Sequence, residues 1–212
     1  MLICAATNNA KKLQELKRIL EKQGHIVKSL KELNVQADPE ETGDTFEQNA
    51  MIKAREICKL VDMPVIADDS GLMVDILKGE PGVRSARYSG IHGDDQANNA
   101  TLIKNLQLLN VSESMAQFVC MVCMVLPNGK EICFKGVCEG KVVCQPKGEN
   151  GFGYDPLFIP KLIEKADGTV VENTENFTYA QLESWQKDAI SHRGQALQLL
   201  EQNLMKFLQE TS

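Results

Sequence analysis

Leu2-Ile-Cys-Ala-Ala6 followed by Thr7-Asn-Asn-Ala-Lys-Lys12 and Leu13-Gln-Glu-Leu-Lys-Arg-Ile-Leu20 is the stretch that decides the fold. A short apolar run reads as a buried strand, a polar loop follows, and Leu13, Leu16, Ile19 and Leu20 then recur on one helical face up to Gly24. The alternation continues outward. His25 to Leu33 reads as another strand, and a second helix begins at Thr45, where Thr45-Phe-Glu-Gln48 matches a capping box. That helix turns Ala50, Ala54 and Ile57 inward and stops before Pro64. Val65-Ile-Ala67 is then a strand running into Asp68-Asp-Ser-Gly71. Asp94 or Asp95 caps a helix reaching Leu109. Two strands flank Pro127-Asn-Gly-Lys130, the best hairpin signal in the chain, and a last helix covers Gly194 to Gln209. A crossover strand order joined to a hairpin predicts an α/β protein with a mixed sheet.

The chain has 212 residues, 23 Lys and Arg against 29 Asp and Glu, and a net charge of −6. That acidic balance argues against a protein that coats nucleic acid, because counterion release needs clustered cations. With 43% apolar and 25% charged residues the composition is that of a folded soluble protein. The longest apolar run, Phe118 to Leu126, is far short of a membrane span, and the first residues carry no basic leader. The expectation is a cytoplasmic protein with no membrane or nucleic-acid partner.

Seven cysteines, at 4, 58, 120, 123, 133, 138 and 144, are expected as reduced thiols. Cys120-Met-Val-Cys123 invites a zinc or redox reading. On a strand, however, residues three apart point to opposite faces, so both are expected as buried small hydrophobes.

Four polar clusters fall at strand–helix junctions, where α/β proteins collect ligands. At Thr7 to Lys12 a helix start presents free N–H groups, with Asn9 offering an amide and Lys12 a cation, which suits an anion. Ordinary helix capping is the alternative. Glu40-Glu-Thr-Gly43 and Asp68-Asp-Ser-Gly71 are acidic, and carboxylates at the exit of an apolar strand ask for a cation such as Mg²⁺. A solvated turn accounts for them equally well. Asp68 and Asp69 face opposite ways on a strand, so one is expected to carry the site and the other to support structure. Gly148-Glu-Asn-Gly-Phe-Gly-Tyr-Asp155 sets Phe152 and Tyr154 among glycines, where an aromatic either stacks on a base or plugs the core. Lys187 and Ser191-His-Arg193 precede the last helix, with His192 open to base chemistry or to a structural role. Lys53, four residues after Asn49, points either into a shared cleft or into solvent.

In order, these segments resemble the inosine triphosphatase-like family of nucleoside triphosphate pyrophosphatases, the XTP/dITP diphosphatases. The resemblance rests on Ala6-Thr-Asn-Asn-Ala-Lys-Lys12, Glu41-Thr-Gly43 with Thr45-Phe46, Asn49-Ala50 with Lys53-Ala54, and Ile66-Ala-Asp-Asp-Ser-Gly-Leu72. It continues through Pro81-Gly82, Ser85-Ala-Arg-Tyr88, Gly151-Phe-Gly-Tyr-Asp-Pro156 and Ser191-His-Arg-Gly-Gln-Ala-Leu197. It implies an elongated, two-lobed α/β catalytic domain over residues 1–212, with a long central mixed sheet flanked by helices and a nucleotide cleft between the lobes. A homodimer is implied as well.

The implied reaction converts ITP, dITP or XTP to the monophosphate and pyrophosphate. Thr7, Asn8, Asn9, Ala10, Lys11 and Lys12 are then the triphosphate loop, and Lys53 adds positive charge for the leaving group. Asp69, with Glu40 or Glu41, positions Mg²⁺, and Asp69 accepts the proton of the attacking water. Ser70 touches the substrate. Phe152 stacks on the base beside Gly153, Tyr154 and Asp155, while Lys187, His192 and Arg193 donate to the oxygen at position 6.

The chain departs from the family at Asn8, where Gly is common, at Gln181, where Glu is common, and at Arg84, where an aromatic is usual. Lys161 to Phe177 is longer than the usual connection and reads as a surface loop. The alternatives are a Maf-like pyrophosphatase for pyrimidine or modified nucleotides, and a nucleotide-sensing module without turnover.

Overall fold

The computed structural model describes residues 1–209. Its elements are β1 (Leu2–Ala5), α1 (Ala10–Lys22), β2 (Ile26–Ser29), α2 (Phe46–Val61), β3 (Val65–Val74), α3 (Asp95–Leu108), β4 (Glu113–Val125) and β5 (Glu131–Val143). There follow β6 (Phe158–Pro160), β7 (Leu162–Glu164), β8 (Val170–Glu172), α4 (Ser184–Ile190) and α5 (His192–Gln209). Six strands form one mixed sheet in the order β2-β1-β3-β4-β5-β6. β1 pairs in parallel with β2, Leu2 opposite Ile26, and with β3, Cys4 opposite Val65, whereas β5 and β6 are antiparallel. The expected α/β class with a mixed sheet is what the chain adopts. No helix among the described residues is long and apolar enough to cross a membrane.

The chain divides into two compact units, and β3, β4 and β5 each contribute residues to both. The first holds Met1–Asp69, Cys120–Gly136 and 193–209. β1, the start of β3 and the end of β4 are apolar runs because both of their faces are buried. Ile3, Ala5, Ile66, Val122 and Met124 pack with Leu16 and Leu20 of α1 and Leu197, Leu200 and Leu204 of α5. The alternate residues Cys4, Ala6, Val65, Ala67 and Val125 pack with Ala54 and Ile57 of α2. This two-residue alternation carries one step further along β3 and assigns Asp68 to the α1–α5 face and Asp69 to the α2 face.

The second unit holds Ser70–Val119 and Val137–His192. Leu72, Val74, Leu102, Leu106, Val142 and Leu157 surround an aromatic cluster. In it Phe118 meets Phe158 edge-on at 4.8 Å and stacks on Tyr179 at 5.8 Å.

Several expectations are corrected. β3 does not end at Ala67 but continues through the Asp-Asp-Ser-Gly segment to Val74, so both aspartates are strand residues. The expected strand at His25 to Leu33 shortens to Ile26–Ser29, followed by a 3₁₀ turn that ends at Asn34 in the left-handed region. Lys161 to Phe177 is not a plain loop: β7 and β8 form an antiparallel hairpin. Its turn is set by Asp167, whose carboxylate accepts from the Thr169 amide at 3.0 Å and hydroxyl at 2.6 Å, and by Gly168 at φ 82°. Strands of three residues are too short for hydrophobic alternation to reveal.

The cysteines are not all thiols. Cys123 and Cys133 form a disulfide, whereas Cys4, Cys58, Cys120, Cys138 and Cys144 are free. The bond from the Leu126 amide to the Lys130 carbonyl sets the hairpin register that puts Cys123 opposite Cys133, with Cα atoms 4.1 Å apart. Partners ten residues apart across a turn form no sequence motif.

Candidate active site

In the first unit β1 delivers the chain into α1 through Thr7, Asn8 and Asn9. Asn9 is the helix cap: its side-chain oxygen accepts from the amides of Lys11 at 3.0 Å and Lys12 at 3.1 Å, and its own amide donates to the Thr7 hydroxyl at 3.2 Å. Asn9 thus shapes the loop with its oxygen. Asn8, the departure from glycine, donates its side-chain amide to the Ala37 carbonyl and to the Asp38 carboxylate, both at 3.1 Å. That ties the loop to the irregular segment leading to Glu41. Ala10 opens α1, Lys11 is exposed, and Lys12 reaches back to Asp68 at 3.2 Å.

The aspartate pair divides as strand alternation requires. Asp68 accepts from Arg193 Nε at 3.2 Å and Nη2 at 2.7 Å, and Arg193 Nη1 is bound to Glu15. Burial acts to raise the Asp68 pKa, but the charges of Arg193, Lys12 and Lys53 outweigh it and hold the carboxyl well below the usual range. Asp69 accepts from the Asn49 side chain at 3.1 Å. Burial raises its pKa. The cations Lys53 and Lys12 oppose that, nearby Glu41 adds to it, and the net shift is upward. Lys53 Nζ bridges Glu41 at 2.7 Å and the Asp68 carbonyl at 2.7 Å. Its burial disfavours the charge, yet Asp69, Asp68 and Glu41 outweigh burial and keep it protonated.

Gly43 explains the Glu-Thr-Gly motif. Its amide donates to the Asn49 oxygen at 2.8 Å, and a Cβ at Gly43 would stand 2.6 Å from Gln48 Cβ. The closeness of that turn lets Asn49 hold Asp69 with its other end.

Glu41, and not Glu40, belongs to this constellation: Glu40 is exposed, whereas Glu41 touches Lys53 and acts on Asp69. Among the described residues no group of three or more His, Cys, Asp or Glu is arranged to hold a metal ion. Glu41 and Asp69, whose pKa Glu41 helps to raise, nevertheless fit Mg²⁺, which takes one or two carboxylates and completes its shell with water and phosphate oxygens.

In the second unit Gly151, at φ 77°, cannot carry a side chain, since a Cβ would lie 2.0 Å from Asp155 Oδ2. That oxygen accepts from the Phe152 amide at 2.9 Å and from Lys187 Nζ at 2.6 Å. Lys187 lies 4.7 Å from the centroid of the Phe152 ring, which is half-buried. The two aromatics of the motif separate in role. Tyr154 is core, 3% exposed, with its hydroxyl donating to the Ser85 carbonyl at 2.9 Å. His192 stacks on Phe118 at 4.8 Å with an interplanar angle of 11°. Ser70 follows Asp69 directly and is half-buried.

The structure therefore groups Thr7 to Lys12, Glu41, Lys53, Asp68, Asp69 and Arg193 in one unit, and Ser70, Phe152 to Asp155, Lys187 and His192 in the other. Arg193, expected at the base, is 1% exposed, and its guanidinium engages Glu15 and Asp68. Sequence reading missed Glu15, whose place on the buried side of α1 was the available signal. The sequence offers Asp95 only as one of two helix caps and gives no signal at Asn99, whereas their side chains meet the Gly153 amide at 2.9 Å and carbonyl at 2.8 Å. Gln181 keeps the capping function, accepting from the Thr178 amide at 3.0 Å.

These features are those of a nucleotide-handling α/β protein, and the chain belongs to the Ham1 family, whose model matches residues 3–203. It is 45% identical over 200 residues to a dITP/XTP pyrophosphatase of Corynebacterium glutamicum, covering 93% of each chain. It is 44% identical over 195 residues to that of Bacillus subtilis, covering 92% of each. Its fold matches the Ham1 protein of Staphylococcus aureus with a TM-score of 0.79 at 39% identity, covering 97% of this chain and 99% of that one. The dITP/XTP pyrophosphatase of Mycobacterium abscessus matches with a TM-score of 0.69 at 43% identity, covering 94% and 98%. The expected family is the one found.

Proposed function

We propose that this chain hydrolyses dITP, ITP and XTP to the nucleoside monophosphate and pyrophosphate, removing deaminated purines from the nucleotide pool. The observation that carries this reading is the division of labour on β3. Asp68 is locked in a buried ion pair, while Asp69 is left with a raised pKa beside Lys53 and Glu41. A carboxylate poised upward is suited to take a proton from water.

In this mechanism the start of α1 and Lys12 hold phosphate oxygens, and Lys53 offers charge to the leaving pyrophosphate. Asp69 accepts a proton from water as its oxygen attacks the α-phosphorus and the bond between the α-phosphorus and the bridging oxygen breaks. Glu41 and Asp69 are the residues that would hold Mg²⁺, which when bound neutralises phosphate charge and acidifies water. Phe152 stacks on the base, and Lys187 and His192 donate to the oxygen at position 6. Donors there accept a 6-keto purine and disfavour the 6-amino group of adenine.

Thr7 to Lys12, Glu41, Lys53 and Asp69 form one set of these residues, and Phe152, Lys187 and His192 the other. The sets are joined by the Asp69–Ser70 and His192–Arg193 peptide bonds. The resemblance further supports a homodimer acting in the cytoplasm, testable by light scattering and by localising the tagged protein.

The deciding experiment is product analysis at fixed Mg²⁺ with ITP, XTP, dITP, dTTP, UTP, ATP and GTP side by side. Fast pyrophosphate release from the deaminated purines, with little from ATP or GTP, is expected. Preference for dTTP or UTP points to a Maf-like enzyme, primary orthophosphate release overturns the phosphate placement, and binding without turnover leaves a sensing module.

A further inference from the structure

Gly153 is held at both ends of its backbone by one helix. Its amide donates to Asp95 Oδ2 at 2.9 Å, and its carbonyl accepts from the Asn99 side chain at 2.8 Å. Asp95 and Asn99 stand four residues apart at the start of α3, so they share a face and reach one target together. The grip falls on a residue at φ 60°, where a Cβ would meet nothing within 4 Å, so no side-chain contact on that side fixes the backbone. Without a clamp such a glycine is free to leave this conformation.

The residue before it is Phe152, whose own amide is fixed by Asp155. The residue after it is Tyr154, anchored to the Ser85 carbonyl. α3 is secured in turn, because Asp94 caps it at the Ala97 amide, 2.9 Å, and Leu102 and Leu106 are fully buried. A rigid element thus sets the peptide that follows the stacking ring.

The geometry points to Asp95 and Asn99 as positioning residues for the base wall: they hold the Gly153 peptide so that the Phe152 ring is presented in one orientation to a purine. This inference rests on the nucleotide-hydrolysing function proposed above. Neither residue touches the reacting atoms. Their contribution is to spare the ordering of the wall when the base arrives, so it enters binding of the base and not the chemical step.

The test compares Asp95→Ala, Asn99→Ala and Asp95→Asn, each alone and in a Phe152→Ala background. The readouts are KM and kcat for ITP, inhibition by inorganic tripolyphosphate, which has no base, and NMR exchange of the Gly153 amide without nucleotide. Each alanine variant should raise KM for ITP about 3- to 10-fold, the scale of one hydrogen bond, with kcat changed less than about 2-fold. Tripolyphosphate inhibition should stay as in the wild type. Asp95→Ala should speed Gly153 exchange, and Asp95→Asn, which keeps an acceptor, should restore both exchange and KM. In the Phe152→Ala background the alanine changes should add nothing further.

Equal weakening of tripolyphosphate, full additivity with Phe152→Ala, or unchanged Gly153 exchange overturns the clamp. If the wild type releases no pyrophosphate from any nucleotide, the enzymatic reading falls on its own. Gly153 exchange then decides the clamp alone, faster exchange upholding it and unchanged exchange overturning it.

Discussion

Asp68 and Asp69 are consecutive on one strand, yet their carboxyl groups titrate in opposite directions, Asp68 far down and Asp69 up. The cause is the pleat. Alternation turns Asp68 to the layer that supplies Arg193 and Lys12, and Asp69 to the layer that supplies Asn49 and Lys53. One aspartate becomes a fixed anion that organises cations, and its neighbour stays exchangeable.

Asp69→Asn should lower turnover by about 10²- to 10⁴-fold, the usual worth of a general base. A buried acid with a raised pKa opposes folding above the unfolded-state pKa, so its removal should leave the melting temperature unchanged or higher at neutral pH. Without Mg²⁺, the wild-type Asp69 carboxyl should titrate above the ordinary aspartate range. Pyrophosphate release at fixed Mg²⁺, melting curves of both proteins and an NMR titration of the metal-free wild type check all three; near wild-type rates in the variant would remove Asp69 from the mechanism.

Asp68→Ala should behave differently and cost about 3–5 kcal/mol of stability, because Arg193 is left buried without its main anion. The sign with pH follows from the lowered pKa. The stabilisation is complete above the unfolded value, roughly 3.9, and is lost as pH falls towards the folded one. Urea unfolding of wild type and variant at neutral and acid pH should show their difference shrinking in acid.

Phe152→Ala should weaken nucleotide binding by about 1–3 kcal/mol, the range of a base stacked on an aromatic. The ring is half-buried, so the unliganded protein should melt close to the wild type. Tyr154→Phe is the contrasting case: it strands the Ser85 carbonyl and should cost about 1–3 kcal/mol of stability while KM moves little. A sharp fall in unliganded melting for Phe152→Ala, with KM unchanged, would make Phe152 a core residue.

Asn8→Ala removes two exposed hydrogen bonds between the loop that precedes α1, proposed to hold phosphate, and the segment carrying Glu41. The expected result is a rise in KM for the triphosphate of about 2- to 10-fold at unchanged stability. Asp38→Ala should reproduce part of it, since Asp38 is one of the two acceptors. Steady-state kinetics of both variants at several Mg²⁺ concentrations measures this.

Local pattern alone determined a good deal of this protein. Apolar runs of β1 and the start of β3, the one-sided stripe of α1, the cap at Thr45, the cap at Asp94 or Asp95 and the Asn128-Gly129 turn are all short-range signals, and they produced the α/β class. The motifs around Thr7, Asp69, Phe152 and His192 stand out in the sequence as well, because each is a short run of consecutive polar, glycine or aromatic residues. Even the opposite facing of Asp68 and Asp69 followed from strand periodicity. Tertiary structure decided which facing residue meets what. It chose Glu41 over Glu40 through Lys53, drew Arg193 to Asp68 and Glu15, and sent Tyr154 to the core while leaving Phe152 half-exposed. It also paired Cys123 with Cys133 and set Asp95 and Asn99 on Gly153. These outcomes depend on side chains far apart in the chain competing for the same buried partners, and on the cost of leaving a charge unpaired there, neither of which a local pattern contains.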